Sequence, residues 1–203
     1  MIDTLLTLAS DAVAAARQAG ADAADALAID ARGTDISMRE GAIEKLEQAE
    51  AREVGLRVFV GQSSAMISGS VLTPDAIRRL AETAVAAARL APPDPFAGLA
   101  SAEQLSSASE DLDLVSASLP DARELKDLSL RAERAALGVE GVSKSGGAGA
   151  SVSDNAVALV TSNGFAHGYR KTSTSVSVSV IAGSGTAMER DYDFSVAVHY
   201  GDL

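Results

Sequence analysis

Three charges and a tyrosine fall within five residues at Met188-Glu189-Arg190-Asp191-Tyr192. Side chains of these types at this spacing could act in three ways. The two carboxyls could serve as an acid/base group beside Arg190. Arg190 and Tyr192 could anchor a protein contact, since arginine and tyrosine are favoured at interfaces. The cluster could also be the charged opening of a strand, exposed and worth little. Adjacent strand residues point to opposite faces, so Glu189 and Asp191 share one face and Arg190 and Tyr192 the other. Read as an interface, the cluster comprises all four residues.

Other chemistry is sparse. His167 and His199 are the two histidines. A zinc site takes about three protein ligands, and no paired-ligand spacing accompanies them. Surface or hairpin positions are the better reading, with His167 expected at a loop tip after Asn163-Gly164. Ser162 as a nucleophile would need a nearby base that the sequence does not establish. Gly146-Gly147-Ala148-Gly149 lacks the Lys-Ser/Thr ending of a phosphate loop and precedes a strand, which makes it a hairpin connection. Glu40, Glu44, Glu47, Glu50 and Glu53 read as a solvated face. No cysteine is present, which removes disulfides, thiolate ligands and thiol nucleophiles. No catalytic, metal-binding or cofactor-binding residue is assigned.

Composition narrows the partners. The 203 residues carry a net charge of -11, with 3% aromatics and no tryptophan. No basic run is longer than Arg170-Lys171. Nucleic acid binding needs a local Lys/Arg surplus or a stacking platform, and neither is evident. The N-terminal segment lacks a basic leader region and has Asp3 and Asp11 within its apolar run, so it reads as neither signal peptide nor membrane span. The expected location is the cytoplasm.

The elements that would position the cluster follow from periodicity. Residues 3–19 form an amphipathic helix with Leu6, Ala9, Val13 and Ala16 on its stripe, Asp3 as N-cap and Gly20 at its C-terminal cap. Leu27 and Ile29 share one strand face, as do Ile36 and Met38, with breaks at Gly33 and Gly41. Residues 43–51 are read as extended. Val54–Val60 and Ala65–Val71 form a hairpin across 61–64. Thr73 caps a helix with Pro74 at its first position, running to Leu90. Residues 92–120 read as a linker that packs in places. Asp121 and Glu124 have capping-box spacing ahead of a helix with Leu125, Leu128, Ala132, Ala135 and Ala136 on its stripe, stopped by Gly138. Strands follow at 148–153, 156–161, 169–181 and 188–199, with turns at Gly146-Gly147, Asp154-Asn155 and 162–164. In the penultimate strand Val176, Val178 and Val180 face one way and Ser175, Ser177 and Ser179 the other.

Helices and strands are segregated, which predicts an α+β fold with antiparallel sheets and helices to one side. The expected division is a helix–meander–helix subdomain at 1–91, the linker at 92–120, and a helix with antiparallel strands at 121–203. The two halves could be related helix-plus-meander units.

LAPPDPFAGLA (90–100), DLDL (111–114), SNGF (162–165), SVSVIA (177–182) and above all MERDYDF (188–194) resemble the PmbA branch of the TldD/PmbA family. The likeness extends to LRVFVGQSSAMISGSVLTPDAI (56–77) and covers nearly the whole chain in order. The resemblance implies a modulator of DNA gyrase, or a component of a cytoplasmic metalloprotease that processes peptides. It implies a TldD-like subunit and peptide substrates as partners, alone or alongside a homo-oligomer, with no nucleic acid and no membrane. Zinc is expected in the TldD-like subunit, whose HExxxH motif lies beyond the matched region, so no site residue carries over. Relatives continue into a large C-terminal domain, and this chain reads as the N-terminal portion of a PmbA-like, non-catalytic subunit. Whether it is itself an enzyme stays open. The alternatives are a non-proteolytic binding module acting on a gyrase- or toxin–antitoxin-linked partner, and a hydrolase using one of the histidines.

Overall fold

The N-terminal stripe folds as helix α1 (Ile2–Gln18) in the computed structural model, which describes residues 1–106 and 110–203. Leu5, Ala9, Ala12, Val13 and Ala16 are buried, with Leu6 flanking them. Asp3 is not the N-cap. The Leu5 N–H reaches back to the Met1 carbonyl, so the ladder starts earlier and Asp3 falls in the first turn. The C-terminal end closes as expected, with Gly20 (φ +100°) just past the cap residue Ala19. Its N–H bonds the Arg17 carbonyl and the Ala21 N–H bonds that of Ala16, a closure that needs a left-handed residue and favours glycine.

The remaining elements are β1 (Ala23–Arg39), β2 (Ala42–Val60), β3 (Ser63–Gly69), α2 (Pro74–Leu90), α3 (Ala122–Leu137), β4 (Val142–Thr161), β5 (Ala166–Ala182) and β6 (Glu189–Ala197). Among the described residues six strands form one antiparallel sheet in the order β3-β2-β1-β4-β5-β6, and the fold is α+β. Several predicted breaks do not occur. Gly33 lies inside β1, and Gly146-Gly147 and Asp154-Asn155 lie inside β4. These residues favour turns locally, but β4 is flanked by β1 and β5, and pairing on both edges overrides local preference. The β2–β3 hairpin is tighter than expected: Val60 pairs with Ser63, leaving Gly61-Gln62 as the connection, and β3 stops at Gly69.

The chain divides into two compact units. The first comprises Met1–Asp30, Ala51–Asp111 and Asn155–Arg170, the second Ala31–Glu50, Leu112–Asp154 and Lys171–Leu203. The first unit's core sets α1 and α2 against small residues at even-numbered positions, Ala24, Ala26 and Ala28 of β1 and Ala156 and Ala158 of β4, together with Val54, Leu56 and Val58. Leu27, on the other face, is exposed. Alanine on the sheet lets the helices approach closely. Helix α2 begins as its sequence dictates, the Thr73 hydroxyl accepting from the Ala76 N–H at 3.3 Å.

In the second unit Ile36 and Met38 of β1, Ala150 of β4 and Leu125 of α3 form a smaller core. The Asp121 carboxylate accepts from the Glu124 N–H (2.8 Å) while the Glu124 carboxylate accepts from the Asp121 N–H (2.9 Å), completing the predicted capping box. Asp121→Ala should destabilise the chain by about 1 kcal/mol in urea titration. The stripe of α3 is rotated from the expected one. Leu125, Ser129 and Glu133 are buried, whereas Ala135 is exposed.

The predicted linker packs at discrete points. Asp94 N–H bonds Gln62 O, Asn163 Nδ2 bonds Ala100 O, and Thr172 N–H bonds Leu114 O. Linker residues 107–109 lie outside the described residues. Among the described residues no helix is long and apolar enough to cross a membrane.

Candidate functional site

Strand β6 is the last in the sheet, bonded to β5 alone. Its register pairs Ile181 with Arg190, Ser179 with Tyr192, Ser177 with Phe194 and Ser175 with Val196, so these eight share one face. The other face pairs Ala182 with Glu189, Val180 with Asp191 and Val178 with Asp193. Arg190 and Tyr192 are thus brought together on one side and Glu189 and Asp191 on the other.

The sequence-derived cluster was too short. Phe194 and Val196 extend the Arg190–Tyr192 face, with Tyr192, Phe194 and Val196 exposed by 71%, 64% and 58%. Asp193 extends the acidic face. The unbroken alternation past Tyr192 was the signal for both. The strand ends at Ala197, short of the predicted His199, and the chain turns into a 3₁₀ segment at Tyr200–Asp202.

The outer edge of β6 is guarded by its own side chains. The Tyr192 N–H donates to Asp191 Oδ1 (2.9 Å) and the Phe194 N–H to Asp193 Oδ1 (2.8 Å). Carboxylates bonded to N–H groups of an edge strand and charges along that edge both discourage indiscriminate strand pairing.

Each face borders a groove. On the acidic side Val139, Val142, Val180 and Ala182 line about 470 Å³ together with Glu189 and Asp191. On the other side Ser177, Ser179 and Tyr192 border a groove with Asp35, Arg39 and Glu44. Ser175 is tied to Ser151, their hydroxyls 2.8 Å apart. Gly146 lies so near Ser179 that a Cβ there would stand 2.7 Å from its hydroxyl. Gly146-Gly147 therefore permits close approach of β4 and β5 and is not a hairpin connection.

The remaining candidates have structural places. Ser162 Oγ accepts from the Ala24 N–H at 3.0 Å. His167 is exposed, already within β5 beyond the turn, its ring centre 6.4 Å from that of Phe165. His199 Nε2 lies 3.0 Å from the Asp113 carbonyl and 3.2 Å from its carboxylate. Among the described residues no group of three or more His, Asp or Glu side chains is arranged to hold a metal. Glu40, Glu44, Glu47, Glu50 and Glu53 are all exposed, as a solvated face should be.

Sequence reading missed Glu133, which is 2% exposed. Its carboxylate accepts from the Glu40 N–H (2.7 Å), the Gly41 N–H (2.8 Å) and the Ser145 hydroxyl (2.5 Å). Burial would raise this carboxyl, but the Ser145 hydroxyl and the Gly41 and Glu40 amides outweigh it and hold the group below the ordinary glutamate value. Glu133 clamps the β1–β2 turn, where Glu40 and Gly41 both have positive φ (51° and 78°).

Residues 24–88 match PmbA/TldA metallopeptidase domain 1, and residues 116–203 match the PmbA/TldA metallopeptidase central domain. The chain belongs to the PmbA/TldD family. The likeness read from MERDYDF and its companions is borne out. Among relatives, it is 32% identical over 189 residues to metalloprotease PmbA of Escherichia coli O157:H7, covering 90% of this chain and 41% of that protein. It is also 32% identical over 195 residues to the PmbA homologue of Haemophilus influenzae, covering 96% and 43%. The chain thus spans less than half the length of these PmbA relatives. Its fold is shared with a Bacteroides thetaiotaomicron protein provisionally described as a modulator of DNA gyrase, at TM-score 0.88 and 23% identity over 97% of this chain and 46% of that one. It is shared too with TldE of Thermococcus kodakarensis, at TM-score 0.73 and 13% identity over 94% and 43%.

Proposed function

We propose that this chain is the N-terminal region of a PmbA-type, non-catalytic subunit of a TldD/PmbA zinc metalloprotease that handles peptides in the cytoplasm. Both relatives above bear the name of metalloprotease. The described residues do not fit a zinc centre of their own, because His199 is engaged with Asp113 and no third ligand joins either histidine. In this reading the zinc sits in a TldD-like subunit. The observation that carries the reading is the exposed Arg190–Tyr192–Phe194–Val196 face, an apolar and cationic stripe of the composition found at interface cores. This face meets the catalytic subunit.

Co-expression with a TldD-like subunit is the test. The pair should cleave unfolded peptides and this chain alone should not. Arg190→Ala with Tyr192→Ala should weaken association by about 3 kcal/mol, on the order of 100-fold in Kd, in a binding titration. Stoichiometric zinc and cleavage by the isolated chain would overturn the assignment. Capture of an intact partner that is indifferent to chelator and to the TldD-like subunit would instead support a non-proteolytic binding module.

A further inference from the structure

The face of β6 opposite the aromatic stripe is organised for a different contact. Val139, Val142, Val180 and Ala182 make an apolar groove of about 470 Å³, and Val139 is 59% exposed. Glu189 and Asp191 also line it and Asp193 continues their row. Arg190 borders the same groove, but alternation carries its side chain to the other face. Glu189 makes no ion pair among the described residues, and Asp191 is engaged with the neighbouring N–H. An apolar trough whose lining also includes two carboxylates suits a side chain with a long hydrocarbon stem and a cationic head.

The adjoining edge has matching chemistry. Its Tyr192 and Phe194 N–H groups are covered by Asp191 and Asp193. An incoming strand could replace those covers with main-chain bonds and leave the carboxylates free for cations on alternate positions. A second copy suits the edge poorly. Two antiparallel β6 edges related by a two-fold axis place residues of the same parity opposite one another. Every register that overlaps Glu189, Asp191 and Asp193 then sets acid against acid, which is repulsive.

We propose that β6 receives an extended peptide in which Lys or Arg alternates with apolar residues, one cationic side chain lying in the groove beneath Glu189 and Asp191. The inference rests on the peptide-handling role above and narrows its substrate to cationic extended segments.

Fluorescence anisotropy with two labelled ten-residue peptides, lysine alternating with valine and glutamate alternating with valine, tests it. The full chain should bind the lysine peptide at least 10-fold more tightly. Glu189→Gln with Asp191→Asn should raise that Kd at least 10-fold, and Val139→Lys, which places a cation in the groove, should do the same. Glu50→Gln with Glu53→Gln makes the same change in net charge on the exposed acidic face and should leave Kd within twofold. Equal loss from both acid pairs would reduce the effect to net charge and overturn the site. Equal binding of the two peptides would overturn the cationic preference. Binding of neither peptide by a chain that still associates with the TldD-like subunit would sink this inference and leave the proposed function standing. A dimer in sedimentation that the Glu189/Asp191 variant abolishes would make a second copy the occupant and overturn it as well.

Discussion

Glu133→Gln should lower the unfolding free energy by about 2–3 kcal/mol at neutral pH, with a fall in Tm of roughly 5–10 °C. The glutamate is nearly inaccessible, and three donors converge on its two oxygens. Glutamine preserves the volume but turns one acceptor into a donor, leaving an amide or hydroxyl donor of the β1–β2 turn without a partner. Hydrogen bonds to a charged acceptor are stronger than neutral ones, and an orphaned buried donor loses its hydration as well. The pH dependence has a definite sign. Because the folded group titrates below its ordinary value, its contribution is present above the unfolded pKa and is lost as pH falls through the lower folded one. Urea titrations should show a constant gap between parent and variant above about pH 6, shrinking below about pH 4. A gap that widens on acidification would overturn the direction of the shift, and none at pH 7 would show that the clamp contributes nothing.

Gly146→Ala should destabilise by a similar amount, about 2–3 kcal/mol. The added carbon would lie 2.7 Å from Ser179 Oγ, 2.9 Å from Ser179 O and 3.1 Å from the carbonyl carbon. The hydroxyl can rotate away, but the carbonyl belongs to β5 and moves only if β4 and β5 spread. Adding Ser179→Ala should therefore recover less than half of the loss, which a double-mutant cycle measures directly. Gly55→Ala is the control, since a Cβ there meets nothing within 4 Å, and its effect should stay within about 0.5 kcal/mol. Comparable losses at Gly146 and Gly55 would show that the close approach to Ser179 is not the source of the effect.

These two residues also mark where sequence reading stops. Helix α2 was legible to the residue because everything that starts it (Thr73, Pro74, Asp75) lies within one turn of its N-terminus. The hairpin Val54–Val60 with its partner strand was equally local. Gly146-Gly147 carries the local signal of a turn, yet its conformation is set by Ser179 across the ladder. Glu133 looks like an ordinary surface glutamate, and its burial is decided by a turn 93 residues upstream. At β6 alternation correctly divided the faces, but neither the carboxylates folded over the edge nor the valine groove could be read there. Val139, between α3 and β4, and Val142, the first residue of β4, meet Val180 only in three dimensions. The family, by contrast, was legible from motif content alone, without any physical reconstruction.

The bond between Ala24 and Ser162 joins residues 138 positions apart. Synthesis runs from the N-terminus at about 5–20 residues per second, so strand β1 leaves the ribosome on the order of ten seconds before the strand that flanks it. In that interval α1, β1–β3 and α2 are available, but the β1 edge awaits β4. A nascent chain stalled before Val142 should present an open, apolar strand edge to its neighbours, the state most prone to intermolecular pairing.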